Sequence, residues 1–156
     1  MKVYRLCKRK YARNLDGRGA ELYGGRWNEA GTPMIYTSST RSLAMLEVLT
    51  GIPRQQYPEG YVIVTIKLPT NPIMLPMDSL PANWQTYPAP AETIALGTQW
   101  IQKQKSLSLS VPSVIMPEER NILINPFNDA FEDVNIENVK DYTFDRRLVG
   151  WKDISP

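Results

Sequence analysis

The stretch "MIYTSSTRSLAMLEVLTG", residues 34–51, decides the fold class because its hydrophobic period changes along its length. Residues 34–38 carry β-branched and aromatic side chains and predict a short strand. Residues 40–51 instead favour a helix, which Gly51 closes. A strand that leads into a helix in this way predicts a domain built from both α and β elements.

The same change of period recurs along the whole chain. We predict one α+β domain over residues 1–156, a single compact unit with a mixed β-sheet core flanked by helices and without internal repeats. The Pro-rich connection at 69–90 is predicted to be a loop that Leu75, Leu80 and Trp84 anchor. The remaining predicted segments are strands at 2–6, 61–69, 106–115 and 121–126, a Gly-rich loop at 14–33, a helix at 91–105 and a last strand in "YTFDRRLVGW" (142–151).

Composition excludes several classes of protein and of chemistry. A chain with 42% apolar and 22% charged residues is typical of soluble globular proteins. We expect a cytoplasmic protein with no membrane partner, because no apolar run is long enough to span a bilayer and no apolar segment follows the basic N-terminus. One cysteine and no histidine exclude an intrachain disulfide, a cysteine-based zinc site and Ser-His-Asp or Cys-His catalysis. We therefore predict no metal site.

Positive charge is concentrated at the N-terminus, where six lysines and arginines fall within the first 13 residues. Tyr4 and Tyr11 lie among them, a pattern that also occurs in nucleic-acid-binding proteins. The acidic stretch at 118–145 would repel a polyanion if it lay nearby. A solvated basic face is therefore favoured over a nucleic-acid groove, and a small anionic ligand bound by one or two of these cations stays possible.

One carboxylate stands out in the helix at 40–51. Apolar side chains cover every direction around the helix axis, which predicts burial on most sides. Glu47 lies between the directions of Leu43 and Ala44, not on a separate polar stripe. A carboxylate in such a place must be paired, hydrogen-bonded or neutralised, and such sites are enriched for function. A structural salt bridge with Arg26 and a functional role are equally well supported.

Three other positions are candidates for ligand contact. Arg26 follows two glycines in "LYGGRWN" (22–28), where backbone can approach a ligand closely and a guanidinium can bind phosphate or carboxylate; a solvated surface turn is the alternative. Ser113 follows Pro112 at the end of a strand, and Asn125 precedes a proline at the end of another. Strand ends often present ligand-contacting side chains, although each of these residues alone is more often a turn former.

Together, three stretches resemble the RES domain family, which is named for its Arg, Glu and Ser. They are "GRGAELYGGRWNEAGTPMIYTSSTRSLAMLEVLTG" (17–51), "VPSVIMPEERNILINP" (111–126) and "FDRRL" (144–148). The resemblance implies a fold similar to ADP-ribosyltransferases and the toxin of a bacterial RES–Xre toxin–antitoxin pair, which consumes NAD⁺ as a substrate and needs no cofactor. It implies that the catalytic residues are Arg26, Glu47 and Ser113, with Tyr36 and Asn125 as substrate-binding residues. Arg5 is predicted to bind the substrate as well.

The implied reaction suits a protein without histidine. Cleavage between nicotinamide and ribose passes through an oxocarbenium-like centre that a carboxylate such as Glu47 stabilises. Nicotinamide leaves as a neutral base, so no general acid is required. Arg26 and Arg5 would hold the pyrophosphate, Tyr36 would stack on a ring, and Trp27 is predicted to anchor the loop by packing. Water or phosphate would accept the ADP-ribose; transfer to a protein or nucleic acid and a non-catalytic basic binding module are the alternatives.

The sequence departs from the family pattern at two places. Family members commonly carry a histidine shortly after the Asn-Pro and another after the Glu helix, where this chain reads "NPFN" (125–128) and "LTG" (49–51). These departures concern the pocket rim and the oligomer contacts. The resemblance implies an Xre-family antitoxin as partner, which would obstruct the pocket near Arg26 and contact DNA in place of this chain. A homodimer is also compatible with the sequence.

Overall fold

A computed structural model of the protein describes residues 1–53 and 57–148. Within these residues, seven strands form one sheet, and three α-helices accompany it. The strands are β1 (Lys2–Lys8), β2 (Ile35–Ser38), β3 (Tyr61–Lys67), β4 (Ile73–Met74), β5 (Ser108–Pro112), β6 (Arg120–Ile124) and β7 (Asn135–Tyr142); the helices are α1 (Arg18–Tyr23), α2 (Arg41–Leu49) and α3 (Ala91–Lys103).

The sheet is mixed, with strand order β4-β5-β6-β2-β1-β3-β7. Strands β4 and β5 run parallel, and the other neighbours run antiparallel. Strand β1 pairs with β3 at seven positions, but it pairs with β2 only at Tyr4 and Ser38. The predicted α+β class with a mixed sheet is confirmed.

Alternating side chains divide the core between the two faces of the sheet. On one face, the β-branched residues of β3 pack with residues of β1 and β6. On the other face, α2 covers a cluster of Leu6, Ala44 and Phe144, and α3 contributes Trp100 and Ile101 to a second cluster. These two clusters lie on either side of the place where β1 and β2 meet.

The predicted loops need two corrections. The Gly-rich segment at 14–33 contains the short helix α1, and the Pro-rich connection contains β4. The predicted anchors of that connection are confirmed, because Trp84 is buried and Leu75 and Leu80 pack against the cluster around Trp100.

The last strand was predicted in the wrong place. The structure forms β7 at Asn135–Tyr142, whereas residues 143–148 contain no strand and residues 149–151 of the predicted segment lie outside the described residues. Most β7 side chains are exposed and polar, since this strand lies at the sheet edge and pairs through its backbone with β3. Such an edge strand lacks the apolar alternation from which strands are recognised in a sequence. The predicted domain bounds, 1–156, stay a prediction.

Acidic residues of β7 lie beside the basic N-terminal strand. Lys2 pairs with Glu137 at 2.6 Å, and Arg9 pairs with Asp141. The acidic stretch is therefore close to these cations, which favours the interpretation of a solvated charged face over that of a nucleic-acid groove. No helix among the described residues is both long and apolar enough to cross a membrane.

Candidate active site

A cleft opens inside the sheet where β1 and β2 separate beyond the Tyr4–Ser38 pair. Helix α2 packs across the end of this opening and contributes Ala44, Glu47 and Val48 to its wall. We call this opening the central cleft; its volume is about 270 Å³, close to the lower end for ligand pockets. The strand residues that line it are Tyr4, Arg5, Leu6, Cys7, Tyr36, Thr37, Ser38 and Asn121.

Helix α2 places Glu47 in the wall of the cleft. The Thr40 hydroxyl caps the helix by accepting a hydrogen bond from the Leu43 amide at 3.1 Å. Only Leu43 and Ala44 of α2 are fully buried, so the predicted burial on most sides is wrong. The helix is half-buried from Met45 onward because part of its surface faces the cleft, and Glu47 is half-buried there.

Two neutral donors hold one oxygen of the Glu47 carboxylate. Oε1 accepts hydrogen bonds from the Ser113 hydroxyl at 2.8 Å and from the Asn121 side-chain amide at 2.5 Å. Within residues 1–53 and 57–148, Oε2 accepts no hydrogen bond and Glu47 forms no salt bridge with Arg26. The carboxylate is thus oriented without being neutralised, and its second oxygen is left for a ligand.

Ser113 is fixed by the turn between β5 and β6. Its hydroxyl oxygen accepts hydrogen bonds from the backbone amides of Ile115 and Met116 at 3.1 and 3.2 Å, so its proton is directed to Glu47. Ser113 is fully buried and does not line the central cleft. The structure therefore places Ser113 against Glu47, where its hydroxyl orients the carboxylate from outside the cleft.

Asn121 is a site residue that the sequence analysis missed. The Ser38 hydroxyl donates a hydrogen bond to Asn121 Oδ1 at 2.7 Å, which turns the amide nitrogen toward Glu47. Asn121 and Ser38 are direct partners in the β2–β6 register. The strand period could have identified it, because Asn121 lies two residues before the buried Leu123 and so shares the same face of β6.

Arg26 lies at the tip of a tight turn that Gly25 and Asn28 close by an amide-to-carbonyl hydrogen bond of 2.9 Å. Its guanidinium donates to the backbone carbonyls of Trp84 and Thr86 at 2.6 and 3.0 Å. Burial lowers the pKa of Arg26, while the charge of Glu47 acts to raise that pKa. Both hydrogen-bond acceptors are neutral, and Arg26 forms no ion pair among the described residues.

The next residue, Trp27, is 2% exposed and packs in the cluster with Trp100. The predicted role of Trp27 as a packing anchor is confirmed. A Cβ atom on Gly97 of α3 would lie 1.9 Å from the Trp27 carbonyl oxygen, so the close approach of α3 to this turn requires glycine at that position.

Tyr36 connects the Arg26 turn to the cleft. Its hydroxyl donates to Asn28 Oδ1 at 2.7 Å and accepts from the Trp27 amide at 3.1 Å. Burial raises the pKa of Tyr36 far above its usual range, so the phenol stays protonated at neutral pH. The fixed ring lines the cleft.

Arg5 lies at the boundary between the central cleft and a second cavity of about 330 Å³. Its guanidinium donates to the backbone carbonyl of Asn14 at 2.8 Å. Within the described part of the chain, Arg5 forms no ion pair. Arg5 thus supplies a positive charge in the wall of the cleft.

Asn125 is not brought to this group. It is fully buried, and its side chain donates to the Ile101 carbonyl at 3.3 Å and accepts from the Phe127 amide at 2.9 Å. It lies directly after the end of β6 and four residues from Asn121, roughly 13 Å by the rise of a strand, and it lines neither cavity. Its position corresponds to a turn former and does not support the predicted substrate contact.

The described residues contain no group of three or more His, Cys, Asp and Glu side chains placed to hold a metal ion. The central cleft holds one oriented carboxylate, with Arg5 in its wall. Arg26 lines neither cavity, but its guanidinium interacts electrostatically with Glu47. Such a site can bind an anionic ligand and stabilise positive charge that develops beside Glu47.

The chain is similar to a known protein family and to several named proteins. The RES domain model matches residues 2–146. The chain is 41% identical over 153 residues to "Toxin Res" of Yersinia enterocolitica, covering 95% of this chain and 99% of that protein. It is 36% identical over 142 residues to the "Prs ADP-ribosylating toxin" of a Sphingobium species, covering 88% of each.

The fold is similar to that of a chain in the crystal structure of the M. tuberculosis MbcT–MbcA toxin–antitoxin complex. The TM-score is 0.67 at 19% sequence identity, and the match covers 91% of this chain and 84% of the other. This likeness supports the single α+β fold built on a mixed sheet.

Proposed function

This chain belongs to the RES domain family, and on that premise we propose that it is a toxin that cleaves the nicotinamide–ribose bond of NAD⁺. Relatives named as toxins, at 36 to 41% identity over nearly the whole chain, support this proposal. The observation that carries it is the Glu47 carboxylate, which Ser113 and Asn121 hold by one oxygen at the wall of the central cleft.

The reaction needs one carboxylate and a site for the substrate's phosphates. The bond between ribose and the pyridinium nitrogen breaks with its electron pair going to nitrogen, so nicotinamide leaves neutral and the ribose becomes cationic. The free oxygen of Glu47 stabilises this cation. Attack by water then gives ADP-ribose and a proton, and attack by phosphate gives the ADP-ribosyl phosphate.

The positive charges near the cleft bind the pyrophosphate. Arg26 and Arg5 are each held by backbone carbonyls, so their guanidinium groups are positioned before the substrate arrives. Tyr36 packs against a ring of the substrate. Ser113 acts through Glu47, and the Ser38–Asn121 pair fixes the same carboxylate from the other side.

Labelled NAD⁺ tests this function. The purified protein is incubated with NAD⁺ labelled in the adenylate, with and without phosphate and with cell lysate. We expect nicotinamide release and label on small molecules. Label on macromolecules would favour transfer, and no consumption of NAD⁺ would favour a non-catalytic module.

A second candidate activity is transfer of ADP-ribose to a protein. The relative named "Prs ADP-ribosylating toxin" supports it, since that protein matches over 88% of this chain. The same ribosyl cation serves both reactions, and only the acceptor differs. Retention of label on protein after denaturing electrophoresis distinguishes the two.

We also propose an Xre-family antitoxin as partner and the cytoplasm as the place of action. The similarity in fold to a chain from a toxin–antitoxin complex supports a partner of this class. The antitoxin would cover the cleft near Arg26 and would itself supply the DNA contacts. A partner that binds without lowering NAD⁺ turnover, or specific operator binding by this chain alone, would contradict the proposal.

A further inference from the structure

We propose that the second cavity binds the adenosine half of NAD⁺; this inference rests on the proposed function. We call it the α1-side cavity, because helix α1 and the loop before it form much of its wall. The residues on which the inference depends are Arg5, Tyr11, Asp16, Gly19, Tyr23 and Tyr36.

The two cavities meet at shared residues. Arg5 and Tyr36 line both the central cleft and the α1-side cavity. A dinucleotide with its nicotinamide ribose beside Glu47 therefore passes Arg5 when it extends into the second cavity. The pyrophosphate lies midway along such a molecule, next to a guanidinium that has no acidic partner among the described residues.

The lining of the α1-side cavity suits a purine nucleoside. Tyr23 is 86% exposed and Tyr11 is 45% exposed, so these rings at the rim are available to stack on a base. Asp16 accepts a hydrogen bond from the Arg18 amide through Oδ1 at 3.0 Å, which leaves Oδ2 for a hydroxyl group. A carboxylate can accept hydrogen bonds from ribose hydroxyls, as it does in Rossmann-type dinucleotide sites.

Gly19 allows the cavity to be filled without disturbing the core. It is exposed on α1, and a Cβ atom built there has no neighbour within 4 Å. Because Gly19 lines the cavity, Gly19→Trp adds a large ring to its wall, whereas Gly19→Ala adds only a methyl group and serves as its control. Tyr23→Ala removes a rim ring, and Phe127→Ala, an exposed ring that lines neither cavity, is its control.

The test compares NAD⁺ with nicotinamide mononucleotide, which carries the same scissile bond without the adenylate. We expect Gly19→Trp to lower kcat/KM for NAD⁺ at least tenfold and to leave cleavage of the mononucleotide within threefold. Tyr23→Ala should lower kcat/KM for NAD⁺ in the same selective way. Inhibition by 5′-AMP should weaken at least tenfold in Gly19→Trp, and this measurement decides if the mononucleotide is cleaved too slowly to follow. Thermal melting confirms that the variants are folded.

Equal loss of NAD⁺ and mononucleotide cleavage in a folded Gly19→Trp variant would overturn the inference, as would unchanged kinetics and 5′-AMP inhibition. Failure of the proposed function has a different signature. In that case the wild-type protein cleaves neither substrate, while binding of 5′-AMP, measured by calorimetry, still reports on the α1-side cavity.

Discussion

Replacement of Glu47 by glutamine tests the chemistry while conserving the shape of the site. The amide oxygen of glutamine can accept the hydrogen bonds that Ser113 and Asn121 donate, and its NH₂ group takes the place of the free Oε2. A unit charge pair at 4 Å interacts by about 4 kcal/mol at an effective dielectric constant of 20. The ribosyl centre carries only part of a charge in the transition state. We therefore expect the substitution to raise the activation free energy by about 3 kcal/mol, which lowers kcat by about 10².

Single-turnover cleavage of NAD⁺ beside a thermal melt measures both effects. We expect Glu47→Gln to melt within a few degrees of wild type and its expression to be harmless to cells. Glu118→Gln is the matched control, since it removes an exposed carboxylate from the β5–β6 turn and should leave turnover unchanged. A folded Glu47→Gln protein with kcat within tenfold of wild type would refute the catalytic role, and an unfolded one would make Glu47 a structural residue.

Four further outcomes are expected. Arg26→Ala should raise KM for NAD⁺ about tenfold with little change in kcat, because its charge interacts equally with substrate and transition state; kinetics in which kcat alone falls would contradict this. Asn121→Ala should lower kcat with little change in KM, because Glu47 loses one of the two donors that orient its carboxylate; a rise in KM alone would contradict this. Burial raises the pKa of the Cys7 thiol, so less thiolate is present at pH 8 than in the unfolded chain, and iodoacetamide should react more slowly with native protein than in urea. Chelation of metal ions should leave NAD⁺ cleavage unchanged if the carboxylate alone stabilises the cation, and loss of turnover that added metal restores would refute that mechanism.

The fold class was predictable because its decisive elements carry strong local signals. The β-branched residues of β3 and the capped helix α2 are visible in the sequence, and both occur close to their predicted bounds. Strand β7 was not predictable in the same way, since backbone pairing with β3 holds it and most of its side chains are exposed.

The candidate site was only partly predictable from local sequence patterns. Glu47 was recognisable as an acid among apolar residues, but its partners depend on strand register, which no local pattern specifies. Asn125 has the stronger turn signal, but its side chain forms hydrogen bonds with backbone groups of Ile101 and Phe127. Asn121 reaches Glu47 only because β2 and β6 pair at Ser38. Residues that act through long-range strand pairing can be identified only when the assembled sheet is known.

Strands β1 and β2 pair only at Tyr4 and Ser38. This one pair joins the two halves of the sheet, β4-β5-β6-β2 and β1-β3-β7. Helix α2 contacts both β1 and β2, so it bridges the two halves of the sheet beside the central cleft. Ala44 packs with Leu6 and Phe144 and also lines the cleft, and Glu47 lies one turn further along the helix. One helix therefore connects the two halves of the sheet and carries the carboxylate at the opening between them.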